Sequence, residues 1–151
     1  MTNKKILIVE DDADVRLGYH VLLKANNYIT SFAADSITAI SEARKQRPDL
    51  IILDLGLPAG DGFVVMERLR GPINMDLAAI PVIVVSGRDL RGNKERALNV
   101  GAAAFLQKPW DDDELLSLIA RLLGQPAPYG ESGSIPVWDA SESLFTPLSD
   151  S

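Results

Sequence analysis

The chain has 151 residues, enough for one domain with a full core and too few for two ordinary ones. Its formal charge is −6, and the last 27 residues contribute four of those charges through Glu131, Asp139, Glu142 and Asp150, with no Lys or Arg. Neither part has the basic excess that nucleic-acid binding requires, and the absence of cysteine excludes a disulfide framework and thiolate metal sites.

Lys4 and Lys5 precede only a four-residue apolar run, which is neither a signal peptide nor a membrane span, so a cytoplasmic protein with no membrane partner is expected. Residues 4 to 10 read as a buried strand whose apolar core, Ile6, Leu7, Ile8 and Val9, ends on Glu10, Asp11 and Asp12. Asp12 is expected to cap a helix running to about Ala25, with Val15, Tyr19 and Leu22 as its buried stripe and Asn26 and Asn27 closing it. A weaker strand covers 28 to 33. Ser36 is the expected cap of a second helix, which turns Ala39, Ile40 and Ala43 inward and stops before Pro48.

The run Leu50, Ile51, Ile52 and Leu53 is too short for a helix and is bounded by Pro48 and Pro58, so it reads as a strand buried on both faces that ends on Asp54. A loop dense in turn formers follows, then a helix from about Phe63 to Arg70 that Gly71 and Pro72 stop. The strand at 80 to 85 leads into Ser86 and Gly87. A short polar helix is expected over 90 to 100 with Gly101 just past its end, and the strand at 102 to 106 leads into Gln107, Lys108 and Pro109. The last helix, 111 to 123, buries Leu115, Leu118, Ile119 and Leu122. Its acidic start at Asp111, Asp112, Asp113 and Glu114 complements the helix dipole and is not read as a metal cluster. His20 is expected at the surface and Trp110 in packing. From 125 to 151 the four prolines, the Ser and Gly content and the lack of apolar periodicity indicate a poorly ordered tail or linker outside a domain of residues 1 to 124.

Five alternations of strand and helix imply a parallel sheet with helices on both faces, and the C-terminal ends of such strands open on one crevice. An acid pair, a lone Asp, a hydroxyl and a Lys then converge. Two carboxylates about 4 Å apart repel by roughly 4 kcal/mol at an effective dielectric near 20, so a cation or a proton must lie among them. Oxygen ligands without His or Cys favour Mg²⁺. With Lys108 beside it, such a site is suited to receive a phosphoryl group on a carboxylate.

Residues 4 to about 124 resemble the receiver domain of two-component response regulators. The resemblance is carried by Glu10 and Asp11, Asp54, Pro58 with Asp61 and Gly62, Ser86, and Lys108 with Pro109, in order and at the family's spacing. It implies a flavodoxin-like, doubly wound α/β fold whose five parallel strands run in the order 2-1-3-4-5. It also implies that Asp54 accepts a phosphoryl group from a sensor histidine kinase or a histidine phosphotransfer protein. Asp11, Asp54 and the Gly56 carbonyl would hold Mg²⁺, with Glu10 reaching it through water. Lys108 and the amides of Leu55 and Gly87 would hold the phosphoryl oxygens. Ser86 and Phe105 would switch, Phe105 turning inward, and the surface of residues 90 to 107 would signal to an effector or a second copy. Self-catalysed transfer and hydrolysis would be weak, so a conventional enzyme is not expected. Gly56 and Arg88 depart from common family choices and are expected to tune the phosphoryl lifetime.

Two other readings stay open at this stage. An aspartyl-phosphate phosphatase usually carries a second Asp two residues after its nucleophile, where this chain has Gly56. A receiver-like binding module that works without phosphorylation would not need the acceptor, the acids and the Lys together.

Overall fold

The computed structural model describes residues 3–57, 61–87 and 90–126. Five strands, β1 (Lys5–Val9), β2 (Ile29–Ala33), β3 (Leu50–Asp54), β4 (Val82–Ser86) and β5 (Ala104–Gln107), form one parallel sheet in the order β2-β1-β3-β4-β5. The connecting helices are α1 (Ala13–Ala25), α2 (Ser36–Gln46), α3 (Asp61–Arg70), α4 (Leu90–Asn99) and α5 (Asp112–Leu122), with a 3₁₀ helix at Pro72–Leu77. This is the expected doubly wound fold.

Both sheet faces are covered, which is why the central strands are apolar without alternation. Ile6, Ile8, Leu50, Ile52, Ile83, Val85, Ala104 and Leu106 face one layer with Tyr19 and Leu23 of α1 and Leu115, Leu118 and Ile119 of α5. Leu7, Val9, Ile51, Leu53, Val84 and Phe105 face the other, with Ala43 of α2, Met66 and Leu69 of α3 and Ala97 of α4. The two-residue period of a strand then sorts the functional groups. Asp54 continues the Leu50, Ile52 parity and belongs to the α1/α5 face, whereas Ser86 continues the Val82, Val84 parity toward α4.

Several local expectations shift. The buried stripe of α1 includes Leu23, while Leu22 is only half-buried. The cap of α2 is Asp35, whose carboxylate accepts from the Thr38 amide at 2.8 Å, and Ser36 is the first helical residue. The 3₁₀ helix, which carries no regular apolar period, was not anticipated; it seats Leu77 in the core. His20 is half-buried, with Nδ1 2.7 Å from the Thr30 hydroxyl, rather than at the surface. Asp12 caps α1 as expected, accepting from the Asp14 and Val15 amides at 2.8 and 3.2 Å. Gly101 ends α4 with φ of +99°, and the Arg70 guanidinium donates to its carbonyl at 3.1 Å. Gln125, assigned to the tail by composition, is tied to the domain: its amide donates to the Ala120 carbonyl at 2.8 Å and its side chain accepts from Tyr28 at 2.8 Å. Residues 127 to 151 lie outside the described residues.

The start of α3 crosses the chain just beyond β3 with no room for a side chain at Gly62, where a Cβ would lie 2.7 Å from Leu55 Cα. Because that neighbour is backbone, it cannot swing aside. Gly62→Ala is expected to destabilise the fold by about 1 to 3 kcal/mol in urea denaturation. An unchanged midpoint would show that the two segments are not packed this closely.

Candidate functional site

The ends of β1, β3 and β5 bring Glu10, Asp11, Asp54 and Lys108 together. Lys108 Nζ lies 3.2 Å from Asp54 Oδ2 and 3.8 Å from Glu10 Oε1. Among the described residues, the group of three acidic side chains placed to share an ion is Glu10, Asp11 and Asp54, whose oxygens lie within 4.8 Å of one another. Asp54 and Glu10 are buried, at 5% and 2% exposure, whereas Asp11 is open to solvent. The site is thus a carboxylate floor with one accessible acid at its rim.

Each oxygen has a local reason for its place. Asp54 Oδ1 accepts from the Gly56 amide at 2.8 Å, which leaves Oδ2 toward Lys108. Glu10 Oε2 accepts from the Asp12 amide at 3.1 Å, while Oε1 is buried with no hydrogen-bond partner among the described residues and faces the Lys108 ammonium at 3.8 Å. Burial, followed by the neighbouring Asp54 carboxylate, raises the Glu10 acid to about 7, and the Asp12 amide and Lys108 only partly offset this. A buried carboxyl with an idle oxygen beside two other acids is one that gains from a hard cation. The oxygen donor set therefore fits Mg²⁺.

The structure redistributes two of the expected roles. The Leu55 amide already donates to the Val85 carbonyl at 2.9 Å, so it is spent on the ladder and does not offer itself to an anion; the amide that points into the site is that of Gly56. Phe105 was expected to turn inward on signalling, yet here it is already inward at 5% exposure, packed in the α4-side core. Ser86 is buried at 1% exposure on that same side, and its carbonyl accepts from the Lys108 amide at 2.9 Å. Gly87 lies exposed beside the Lys108 stem, where an added Cβ would meet Lys108 Cβ and Cδ at 3.7 Å. Pro58, Arg88 and the Asp61 side chain lie outside what the structure describes. Reasoning from sequence placed Tyr19 only in the packing of α1: its ring stacks on Trp110 at 5.5 Å, two residues after Lys108, and its hydroxyl is buried without a hydrogen-bond partner among the described residues. A lone aromatic on a buried helix stripe reads as packing, so nothing in the pattern set it apart.

This fold and this acid–lysine cleft define a receiver-type signalling domain. Residues 6–120 match the model of the response regulator receiver domain, and the chain belongs to that family. It is 32% identical over 146 residues to the response regulator MprA of Mycobacterium tuberculosis, covering 97% of this chain and 58% of that protein. It is 38% identical over 119 residues to the response regulator PleD of Caulobacter vibrioides, covering 78% of this chain and 26% of the relative. The chain thus spans little more than half the length of one relative and about a quarter of the other. Among solved structures it is similar to the chemotaxis response regulator CheY4 of Vibrio cholerae, with a TM-score of 0.72 and 29% identity over 81% of this chain and 100% of that one. It is equally similar to the receiver domain of the sensor histidine kinase PA1611 of Pseudomonas aeruginosa, solved with a magnesium ion in its active-site cleft (TM-score 0.73, 29% identity, 82% and 100% covered). Receiver domains bind Mg²⁺ at an acidic pocket and interact with histidine kinases or phosphotransfer proteins, and the acidic pocket is present here. No helix among the described residues is long and apolar enough to cross a membrane.

The raised Glu10 acid sets a stability test. Its folded value of about 7 exceeds the 4.5 of an ordinary glutamate, so the folded state holds the proton more tightly. Stability from this group is present below the unfolded value and is lost as pH rises toward 7. With a chelator present, Glu10→Gln is expected to be more stable than the wild type at pH 8, by about 1 to 3 kcal/mol, and nearly equal to it at pH 4. Identical denaturation midpoints at pH 8 would show that Glu10 carries no such burden.

Proposed function

We propose that Asp54 is the phospho-acceptor of a two-component phosphorelay, taking its phosphoryl group from the phosphohistidine of a sensor histidine kinase or a histidine phosphotransfer protein. The observation that carries this reading is the Lys108 ammonium 3.2 Å from a buried Asp54 whose other oxygen is fixed by a backbone amide. A carboxylate oxygen of Asp54 attacks phosphorus, the P–O bond forms as the P–N bond breaks, and the electron pair leaves on the donor imidazole, which takes up a proton. Lys108 then follows the transferred charge from the carboxylate to a phosphoryl oxygen, and the Gly56 amide continues to orient the acceptor. Asp11, Asp54 and the Gly56 carbonyl would hold Mg²⁺, with Glu10 reaching it through water, and the bound ion would supply charge neutralisation for the incoming phosphoryl group. A cytoplasmic location goes with this reading, as does a role limited to weak self-catalysed transfer and hydrolysis.

The output surface we assign is that of residues 90 to 107. Among the described side chains of α4 only Ala97 is buried, whereas α5 buries six residues. Weak apolar anchorage marks the element that shifts at low cost. Arg96 lies 3.8 Å over the Phe63 ring and so tethers α4 to α3. Ser86 and Phe105 share the α4 side of the sheet, so a change at Ser86 reaches α4 through the β4–β5 pair rather than through solvent. A homodimer or a downstream effector is the proposed reader of that surface.

The reading has a direct test in mass spectrometry with acetyl phosphate and Mg²⁺. The wild type is expected to gain one phosphoryl group, Asp54→Ala none, and a chelator is expected to suppress the gain. Labelling of Asp54→Ala at the wild-type level would place the acceptor elsewhere. The close approach of residue 56 to the acceptor gives a second expectation: a Cβ at Gly56 would lie 3.3 Å from Asp54 Oδ1, so the side chain of Gly56→Asn would crowd the acceptor and the phosphoryl group on it. The phosphoryl half-life of that variant is expected to differ from the wild type at least about threefold, as for a change in the water access that gates hydrolysis; an equal half-life would remove Gly56 from any tuning role.

A further inference from the structure

Ile6 and Ile8 lie in the core layer beneath α1 and α5, together with Tyr19. The two-residue period of the strand carries Glu10 to that same face. Tyr19 lies on α1, and helical side chains lean toward the helix N-terminus, so its phenol is directed at the end of the helix that follows Glu10. The ring is held by its stack on Trp110, with centroids 5.5 Å apart and planes 20° from parallel. Tyr19 and Lys108 border one cavity of about 510 Å³.

Two buried side-chain oxygens at this place have no hydrogen-bond partner among the described residues, Glu10 Oε1 and Tyr19 Oη. One is an acceptor. The other is a standing donor, because burial and the charges of Glu10 and Asp54 push its acid strength far below that of an ordinary phenol and keep its proton on. A desolvated donor and a desolvated acceptor on one face, neither hydrogen-bonded to a described residue and the acceptor facing only the Lys108 ammonium at 3.8 Å, are satisfied at least cost by a water between them.

We propose that the Tyr19 hydroxyl is a positioning group for Glu10, donating to Oε1 through one water and so orienting that carboxylate toward the cation of the acceptor site. The inference rests on the phospho-acceptor reading above and deepens it. Tyr19 touches neither the phosphoryl group nor the acceptor; it acts through Glu10, as groups behind a metal's ligands commonly do. The alternative is that Tyr19 serves only as a ring, filling the layer against Trp110.

Calorimetric titration with Mg²⁺ at pH 8 separates the two, using the wild type, Tyr19→Phe, Tyr19→Leu, Glu10→Gln and the Tyr19→Phe/Glu10→Gln pair, each checked for an intact melting transition. Tyr19→Phe keeps the stack and is expected to weaken Mg²⁺ binding about tenfold, the loss typical of such supporting groups. In the Glu10→Gln background the same change is expected to cost little more. Wild-type affinity in Tyr19→Phe, a loss confined to Tyr19→Leu, or an undiminished effect in the Glu10→Gln background would each overturn the inference. A wild type that does not bind Mg²⁺ at all would instead overturn the reading beneath it.

Discussion

The ion pair between Lys108 and Asp54, 3.2 Å apart and leaning on Glu10 at 3.8 Å, is the contact around which the C-terminal edge of the sheet is arranged. Three acids brought into a partly dehydrated cleft repel one another, and among the described residues one ammonium, that of Lys108, is ion-paired with them. The surplus negative charge is what suits the cleft to a divalent cation, and such a cation beside Lys108 would offset the charge of a phosphoryl group. It also has a cost, visible in a Glu10 acid that holds its proton up to about pH 7. The fold tolerates this because three central strands, apolar on both faces, fix the carboxylates from behind.

The sheet register distributes the chemistry between its two faces. Asp54, Glu10 and Lys108 belong to the α1/α5 side, where the layer is deep and α5 alone buries six residues. Ser86 and Phe105 belong to the side of α4, where the described part of the helix buries a single alanine. Acceptor and reporter are thus separated by one thickness of sheet. The reacting groups lie on the side of the heavily anchored α5, and α4 is the helix with the lightest apolar anchorage among its described side chains. Such a division suits a domain whose product is a changed surface and not a released molecule.

Much of this was legible in the order of residues, for a physical reason. Parallel strands buried on both faces must be short unbroken apolar runs, and each run here stops on its functional group, so Glu10, Asp54, Ser86 and Lys108 announced themselves. What was not legible depends on relations between segments. Whether the Leu55 amide is spent on Val85 follows from ladder register, and whether Phe105 points in or out is a matter of side-chain rotation. Asp35 and Ser36 are equally good caps by composition, and only the extended backbone at Asp35 decides between them. The 3₁₀ helix of Pro72–Leu77 has no period to read, and Tyr19 looks like any core aromatic until its buried hydroxyl is found without a hydrogen-bond partner among the described residues.

The central claim is that Asp54, Lys108 and the two acids of the β1 end form one cation-dependent phosphoryl pocket. Fluorine NMR of beryllofluoride, a mimic of the phosphoryl group, tests it most directly. Bound fluorine resonances are predicted only when Mg²⁺ is present, to vanish in Asp54→Ala, and to weaken and move in Lys108→Ala. Bound resonances that appear without Mg²⁺, or that persist unchanged in Asp54→Ala, would contradict the account.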